Sequence, residues 1–399
     1  MNRRGIALMS SAHVVDDVYQ GAVPALLPFL VEQRHYSYAA VAGLTLAATV
    51  LSSVAQPAFG WWTDRRPRRW MVSAGMLTAA LGVALAGFAT SYLVTWLVIA
   101  LAGLGIAAFH PEAARAARQA AGDHNGAMSL FAVGGNAGFA LGSLIATPVL
   151  LFAGLHGTAL LIFPALVMAA ILLTRLNHVL DGADGARRRS LPTGVDDWPA
   201  FIKLTSVVVV RSIFFSAMTS FLALYFIHHL GTSTGEGNAA LTAFLIAGAC
   251  GTLIGGWIAD RTRRLTSVRL GLALAVPTMA GLLLAPNAGV ALVFAVLIGL
   301  GIFMPFGVFV MLGQDYLPNR IGTASGLTVG LAVSIGGLFS PAFGWLADHT
   351  SLRLMFWVLI ALPILALTLS TLLRDPRELD GSGLGDNPAS VPADAVDVR

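Results

Sequence analysis

Long apolar stretches alternate with short polar loops along almost the whole chain. A helix needs about 20 mostly apolar residues to cross a bilayer. Twelve stretches meet this need; they cover residues 6–31, 38–62, 70–90, 92–116, 127–152, 157–177, 200–228, 238–259, 267–286, 288–312, 321–347 and 352–373. Because lipid offers no partner to an unpaired backbone group, the pattern predicts twelve transmembrane helices and an all-α polytopic membrane protein.

The composition supports a membrane protein and argues against several other classes. Only 11% of the residues are charged, against about 25% in an ordinary soluble protein. The basic residues lie in loops between apolar stretches, so we expect no nucleic-acid partner. A single cysteine, Cys250, excludes an internal disulfide and a cysteine-based metal cage. No Ser/His/Asp set, phosphate-binding loop or metal-ligand cluster is recognisable, so we expect no enzyme, no cofactor and no bound metal.

A polar segment divides the chain into two parts of similar length. Residues 178–199 contain glycine, proline and charged residues, which is typical of a linker. We therefore predict an N-terminal six-helix half at 1–177 and a C-terminal six-helix half at 200–373. The tail, 374–399, lacks apolar periodicity and is predicted to be disordered.

Arginine positions predict the orientation in the membrane, because cytoplasmic loops carry an excess of basic residues. Arginines follow the ends of even-numbered stretches and occur in the linker: Arg65, Arg66, Arg68, Arg69, Arg115, Arg118, Arg187, Arg188, Arg189, Arg261, Arg263 and Arg264. The opposite loops carry chiefly Arg34 and Arg353. This distribution places the linker and both termini in the cytoplasm and predicts a multi-pass protein of the inner (cytoplasmic) membrane.

An internal repeat relates the two halves. "GWWTDRRPRR" begins at Gly60 and "GWIADRTRR" at Gly256, an offset of 196 residues. The same offset relates two copies of "GLGI", and it relates "GAMSLFAVG" to "GTASGLTVG". The repeat predicts two pseudo-symmetric six-helix bundles. A further similarity fits an inverted repeat inside each half: "PAFGWWTD" at 57–64 resembles "PAFGWLAD" at 341–348.

This organisation resembles the major facilitator superfamily, and the first repeat resembles the signature that follows its second helix. Pro67 stands where the signature has its second glycine. An acidic group at a helix C-terminus is unfavourable unless it is paired. We therefore predict a cytoplasmic latch in which each acidic group pairs with arginines of the other half; its residues are Gly60, Asp64, Arg65, Gly256, Asp260 and Arg261. The alternative is that these arginines only fix the topology.

The first stretch contains a polar cluster. His13, Asp17 and Gln20 are spaced to lie on one helix face, and Asp16 lies three residues from His13. Asp16 and Asp17 lie about 15 Å along the helix, near the membrane midplane. A charge there costs roughly 2.5–3.5 kcal/mol. The cluster therefore indicates proton coupling, or alternatively a static hydrogen-bonded plug.

Two further groups carry charge into apolar stretches. The offset of 196 maps Arg211 onto Val15, beside Asp16. Arg211 can therefore pair with the carboxylates of the first stretch or bind an anionic substrate through two hydrogen bonds. In the fourth stretch, His110 precedes Glu112 and Arg115, which are spaced to form an ion pair on one helix face.

Five motifs carry a more specific resemblance: "HVVDDVYQGAVPALLPFL", "QPAFGWWTDRRPRRW", "GLGIAAFHPEAARAAR", "VGGNAGFALG" and "GQDYLPNRIGTASGL". Together they resemble the fosmidomycin-resistance family of facilitator-type efflux proteins. The resemblance implies export of small drugs driven by inward proton flow. It implies roles for these polar residues: His13, Asp17, Gln20, His110, Glu112 and Asn136. The sequence departs from common antiporter patterns at Gly142-Ser143, where Gly-Pro is usual, and at Ile99, where an arginine is usual.

These observations predict a monomeric, proton-coupled drug antiporter that exports small drug-like or anionic molecules by alternating access. The expected proton-coupling residues are Asp16, Asp17, Glu112, His13 and His110. The expected substrate-binding residues are Gln20, Asn136, Arg211 and Arg115. Its expected partners are the substrate, protons and the lipid bilayer. A proton-coupled importer and a membrane sensor without transport are the alternatives.

Overall fold

The computed structural model describes residues 2–65, 68–121, 125–180, 195–320, 323–324, 327–328 and 332–375. All regular elements in these ranges are helical. In the first half they are α1 (Arg3–Arg34), α2 (Tyr38–Arg65), α3 (Trp70–Ala86), α4 (Tyr92–Ala121), α5 (Asn125–Ala153), a 3-10 helix (Leu155–Leu161) and α6 (Ile162–Leu180).

The second half continues with shorter pieces in its last third. Its helices are α7 (Trp198–His228), α8 (Thr234–Arg261), α9 (Arg264–Leu284), α10 (Ala288–Phe303), α11 (Phe306–Tyr316), a 3-10 helix (Pro318–Arg320), α12 (Ala332–His349), α13 (Leu352–Leu359) and α14 (Ala361–Ser370). The linker prediction for 178–199 and the tail prediction for 374–399 fall mostly outside the described residues.

The predicted fold class is confirmed. Ten helices among the described residues are long and apolar enough to cross a membrane. The other two predicted stretches correspond to α3, an apolar helix of 17 residues, and to α12, of 18 residues. Large apolar side chains such as Trp61, Phe152 and Leu173 are exposed on the outer surface, as expected for a surface that faces lipid.

Three predicted stretches are not single α-helices. The sixth begins in the 3-10 helix Leu155–Leu161 and continues as α6. The tenth divides into α10 and α11 at Met304 and Pro305, and it continues to Tyr316 rather than ending at 312. The twelfth divides into α13 and α14 at Ile360, three residues before Pro363. Proline has no backbone N–H to donate to the preceding turn, which accounts for a break near each proline.

The halves contact each other towards one face of the bundle. We define the terminal face as the end where α1 begins and α2, α4 and α8 end; the far face is the opposite end. Several hydrogen bonds join the halves, all in the part of the bundle nearer the far face: Asp348 with the backbone of Tyr38 and Ala39, Thr234 with Glu32, Asn238 with Ala25, Thr242 with Ser143, and Ser220 with Thr45. The far face is therefore closed in this conformation.

Candidate functional site

Close packing of α5 against α1 sets the position of the polar cluster. A Cβ added at Gly138 would lie 2.2 Å from the Val14 carbonyl oxygen, and one at Gly142 would lie 2.4 Å from the Val18 oxygen. Only glycine permits this approach of two helix backbones, as small residues do at membrane helix interfaces. The α1 backbone is therefore held against α5 on either side of Asp16 and Asp17.

The structure brings three polar side chains of the predicted site together between α1 and α4. His13 Nε2 lies 3.4 Å from Asp17 Oδ2. His110 Nε2 lies 3.5 Å from Asp17 Oδ1 and 3.3 Å from His13 Nε2. Gly135 on α5 leaves the space that they occupy, because an added Cβ would lie 2.6 Å from Asp17 Oδ2. We refer to His13, Asp17 and His110 as the His–Asp–His cluster.

Backbone carbonyls fix both imidazole rings. His13 Nδ1 lies 2.8 Å from the Phe131 carbonyl oxygen, and His110 Nδ1 lies 2.9 Å from the Ile106 oxygen. A carbonyl can only accept, so each Nδ1 carries the donated hydrogen. Both Nε2 atoms therefore point into the cluster.

Asp16 lies beside the cluster and is fully buried. Its Oδ2 atom lies 3.7 Å from His110 Nδ1, which is too long for a hydrogen bond. Among the described residues, neither carboxyl oxygen of Asp16 has a hydrogen-bond donor. A buried ionised carboxylate without a donor is costly.

Glu112 and Arg115 lie closer to the terminal face on α4. Glu112 is buried, and its Oε2 atom lies 3.8 Å from an Arg115 guanidinium nitrogen, at the predicted spacing. Pro111 does not unwind the helix, since α4 is continuous from Tyr92 to Ala121. The pair is therefore built on a regular helix one turn from the His–Asp–His cluster.

A small cavity lies between the two halves, next to the closed far face. Gln20 from α1 contributes to its wall, one turn beyond Asp17. The wall is mostly apolar with several hydroxyl groups and includes Gln20, Thr45, Thr49, Phe215, Ser216 and Thr219. Asn136 lies on α5 and is partly buried, next to Gly135.

Arg211 occupies a buried aromatic site in the second half rather than the polar cluster. Its Nε–H donates to the Ile302 carbonyl oxygen over 2.8 Å. Its guanidinium lies 5.1–5.6 Å from the centres of three rings, those of Phe215, Phe303 and Phe306. In the described part of the chain it forms no ion pair with Asp16 or Asp17. One of its three rings, Phe215, also lines the cavity.

The predicted latch is not assembled among the side chains described. The side chains of Asp64 and Arg65 are not among those that the structure describes. A Cβ added at Gly256 would meet no atom within 4 Å, and one at Gly60 would make only an ordinary contact of 3.9 Å with Pro111. Asp260 is exposed, and the neighbouring Arg261 lies over the ring of Trp257 on its own helix. Neither glycine is therefore in close contact with another helix among the described residues.

Two arrangements in the structure were not predicted from the sequence. No metal-ligand cluster was expected, yet ligand atoms of His13, Asp17 and His110 all lie within 4.8 Å of one another. No role was expected for Asp348, whose carboxylate accepts hydrogen bonds from the backbone N–H groups of Tyr38 and Ala39 at 2.8 and 2.9 Å. The signal for Asp348 was its place at the end of "PAFGWLAD", which matches the end of α2.

Comparisons with known proteins agree with the fold and the motifs. The sequence profile of the Major Facilitator Superfamily matches residues 9–341. The chain belongs to this superfamily and is a membrane transporter of its type. Within the superfamily it belongs to the fosmidomycin-resistance family, since it is 31% identical over 383 residues to the fosmidomycin resistance protein of Escherichia coli (strain K12), covering 94% of each chain.

A second relative and two solved structures extend the comparison. The chain is 31% identical over 384 residues to the uncharacterized MFS-type transporter YfnC of Bacillus subtilis (strain 168), covering 93% of each. It is similar in fold to a bacterial homolog of the human lysosomal transporter Spinster. Against the inward-facing, occupied crystal structure the TM-score is 0.76 at 15% identity, covering 92% of this chain and 95% of the other. Against the inward-facing, unoccupied structure it is 0.75 at 15% identity, covering 93% and 96%.

Proposed function

We propose that this transporter is a proton-coupled antiporter that exports small drug-like or anionic molecules from the cytoplasm by alternating access. The observation that carries the proposal is the buried carboxyl pair on α1. Asp16 and Asp17 are adjacent, both buried, and in contact with two histidines inside a membrane bundle. Such ionisable groups within a membrane domain mark ion pathways and proton relays.

Coupling requires that the proton site and the substrate site influence each other. Gln20 lines the cavity and follows Asp17 by three residues on α1, a rise of about 4.5 Å. Protonation of the carboxyl pair and occupation of the cavity therefore act on the same helix segment. We assign proton coupling to Asp16 and Asp17 with His13 and His110, and to Glu112 nearer the terminal face.

The cavity supports a substrate that is part apolar and part polar. Its aromatic and aliphatic wall suits a drug-like body, and the hydroxyl groups of Thr45, Ser216 and Thr219 can orient polar atoms. Arg211 lies behind Phe215 and supplies positive charge for an anionic group once the ring moves. We assign substrate binding to Gln20, Asn136, Arg211 and Arg115.

Alternating access is a cycle in which the two faces of the bundle close in turn. The far face is closed here. Basic loops lie at the terminal face, and they favour a cytoplasmic location for the terminal face. We propose that the latch of Asp64 and Asp260 forms when the terminal face closes. The name of the relative from Escherichia coli, a fosmidomycin resistance protein, supports a drug as substrate.

Flux measurements in proteoliposomes test this proposal. A panel of anionic and neutral drugs is loaded, and their movement is followed with an imposed pH gradient and with a protonophore. Antiport predicts that substrate moves against the proton flow and that the protonophore abolishes accumulation. Movement in the same direction as the protons would instead establish an importer, and binding without flux would establish a sensor.

A further inference from the structure

The His–Asp–His cluster brings acceptor atoms of three side chains close to one another. Both histidines donate through Nδ1 to backbone carbonyls, so in the neutral rings both Nε2 atoms carry a lone pair. These two lone pairs face each other at 3.3 Å, and Asp17 adds carboxylate oxygens at 3.4 and 3.5 Å. Mutually repelling acceptors at such distances are stabilised by a cation placed among them.

The shortest distances between ligand atoms of different residues in the cluster are close to those of a zinc site. Zinc binds imidazole nitrogen at about 2.0–2.1 Å and carboxylate oxygen at about 2.0–2.2 Å in tetrahedral geometry, which separates neighbouring ligand atoms by about 3.3–3.5 Å. The two Nε2 atoms lie 3.3 Å apart, and each faces a different oxygen of Asp17: His13 Nε2 lies 3.4 Å from Oδ2, and His110 Nε2 lies 3.5 Å from Oδ1. With one ligand atom taken from each residue, the three atoms lie within 4.8 Å of one another. Two histidines with one carboxylate are also a known ligand set for catalytic zinc, in which the fourth position stays open.

The backbone carbonyls around the cluster orient its histidines as in a metal site. Metal-binding histidines donate their other ring N–H to a carbonyl or carboxylate. Here both Nδ1 atoms donate to carbonyls, and Asp16 places a carboxyl oxygen 3.7 Å from His110 Nδ1. The side chain of His110 is 25% exposed, which gives an ion a route into a cluster that is otherwise buried.

We propose that His13, Asp17 and His110 bind one divalent transition-metal ion of the zinc class. The ion joins α1 to α4 within the first half, and its fourth position is left for water or a substrate atom. This inference concerns equilibrium metal binding and does not depend on the direction of transport; the ion competes for the same three side chains with the protons of the proposed cycle.

Equilibrium metal binding by the purified full chain tests the proposal. The protein is prepared in detergent with an affinity tag that contains no histidine, and it is titrated with Co²⁺, whose visible absorption is strong only in tetrahedral sites, and then with Zn²⁺. We expect one ion per chain with the absorption of a tetrahedral site, and displacement of Co²⁺ by Zn²⁺. Absence of saturable binding at one ion per chain would overturn the proposal.

Variants assign the ion to these residues. Each ligand can be removed in turn, by His110→Ala, His13→Ala or Asp17→Asn. We expect the dissociation constant of the metal to rise at least 100-fold in each variant. Asp16→Asn changes a neighbour that forms no hydrogen bond to a ligand, and we expect a loss of affinity of tenfold or less. His156→Ala is the matched control, because His156 is exposed and lies against Phe88 away from the cluster. Unchanged binding in His110→Ala would contradict the site.

A folding control keeps the result interpretable. Each variant is required to give a single size-exclusion peak, and His110→Gln provides a less disruptive second variant, since it keeps a polar side chain of similar reach. Loss of metal binding in folded His110→Gln supports the site, and binding as tight as in the wild type overturns it. Because no gradient or substrate is used, failure here is distinct from failure of the transport proposal.

Discussion

Asp16 and Asp17 place two carboxyl groups side by side inside a membrane bundle, yet their environments differ. Asp17 faces two histidine Nε2 atoms, whereas Asp16 has no hydrogen-bond donor among the described residues. A buried carboxylate is stabilised by the donors and charges around it, so these surroundings decide what each group can bind. The two adjacent carboxyl groups therefore lie in different environments on one segment of α1.

Arg211 is expected to act on anionic substrates. We predict that Arg211→Ala reduces their transport to below about one tenth of the wild-type rate while neutral substrates are less affected. Arg211→Lys should restore transport only partly, because lysine keeps the charge but lacks the planar guanidinium that stacks on the three phenylalanine rings. Proteoliposome flux with matched anionic and neutral substrates measures both effects.

The control for Arg211 is Lys203→Ala, which removes an exposed cation from the same helix and should leave both fluxes unchanged. Equal losses for anionic and neutral substrates in Arg211→Ala would show that the arginine only supports the packing of α7, α10 and α11.

Single-residue chemistry was partly predictable from sequence. The spacing of His13 and Asp17 by four residues predicted their contact on one helix face, and the structure has it at 3.4 Å. The approach of His110 from α4 was not predictable, because helical periodicity describes neighbours within one helix only. Arg211 illustrates the same limit, because its aromatic partners on α10 and α11 depend on how helices pack.

At the scale of helices, α1 and α5 form the tightest interface around the site. We predict that Gly138→Ala lowers the midpoint of thermal unfolding by several degrees, because the new Cβ would lie 2.2 Å from the Val14 carbonyl oxygen and overpacking costs about 1–3 kcal/mol. The measurement is thermal unfolding of the purified protein in detergent.

Gly307→Ala is the matched control for helix packing. Gly307 lies in α11, and a Cβ there would meet nothing within 4 Å. Alanine is favoured over glycine in a helix by about 1 kcal/mol, so this variant should be at least as stable as the wild type. Equal unfolding midpoints for the two variants would contradict the close approach of α1 and α5.

Helix existence followed from apolar length, but helix breaks did not. Pro24 and Pro28 leave α1 continuous from Arg3 to Arg34, whereas breaks occur near Pro305 and Pro363. Every proline removes a backbone donor, and whether the helix then continues depends on neighbouring helices that satisfy or crowd the freed carbonyl. The sequence alone does not show which helices will be the neighbours of each proline.

At the scale of the whole molecule, Asp348 joins the two halves at the far face. Its carboxylate accepts hydrogen bonds from Tyr38 N–H and Ala39 N–H, the first backbone groups of α2. An acidic group at a helix N-terminus satisfies unpaired donors and interacts favourably with the helix dipole. Asp348 therefore stabilises the conformation in which the far face is closed.

We predict that Asp348→Ala shifts the conformational equilibrium about fivefold towards opening at the far face, because a helix cap contributes about 1 kcal/mol. The readout is the labelling rate of a cysteine introduced at Thr45, which is buried and bonded to Ser220 in the closed state, in a Cys250→Ala background. The control is Thr350→Ala, because Thr350 is exposed and follows Asp348 by only two residues. An unchanged labelling rate would show that Asp348 does not hold this face closed.

The repeat of 196 residues predicted two six-helix halves, but it could not predict which face is closed. The conformation depends on a small difference in free energy between two arrangements of the same helices. The latch residues Asp64 and Asp260 therefore remain a prediction for the conformation in which the terminal face closes.

The central claim, that the carboxyl pair on α1 carries the coupling proton, requires a comparison of variants that retain the fold. Asp17→Asn and the double variant Asp16→Asn/Asp17→Asn mimic a permanently protonated pair and keep the side-chain size. Asp197→Asn is the control, because Asp197 caps α7 outside the cavity and asparagine caps a helix equally well.

The decisive measurement is substrate flux in proteoliposomes, with and without an imposed pH gradient. In the double variant we predict that exchange of substrate down its own gradient persists, because alternating access needs no proton release. Accumulation driven by the pH gradient should be lost in the double variant and retained in Asp197→Asn. Gradient-driven accumulation at the wild-type level in Asp16→Asn/Asp17→Asn would contradict the coupling role of α1 and leave Glu112 as the carboxyl group to test.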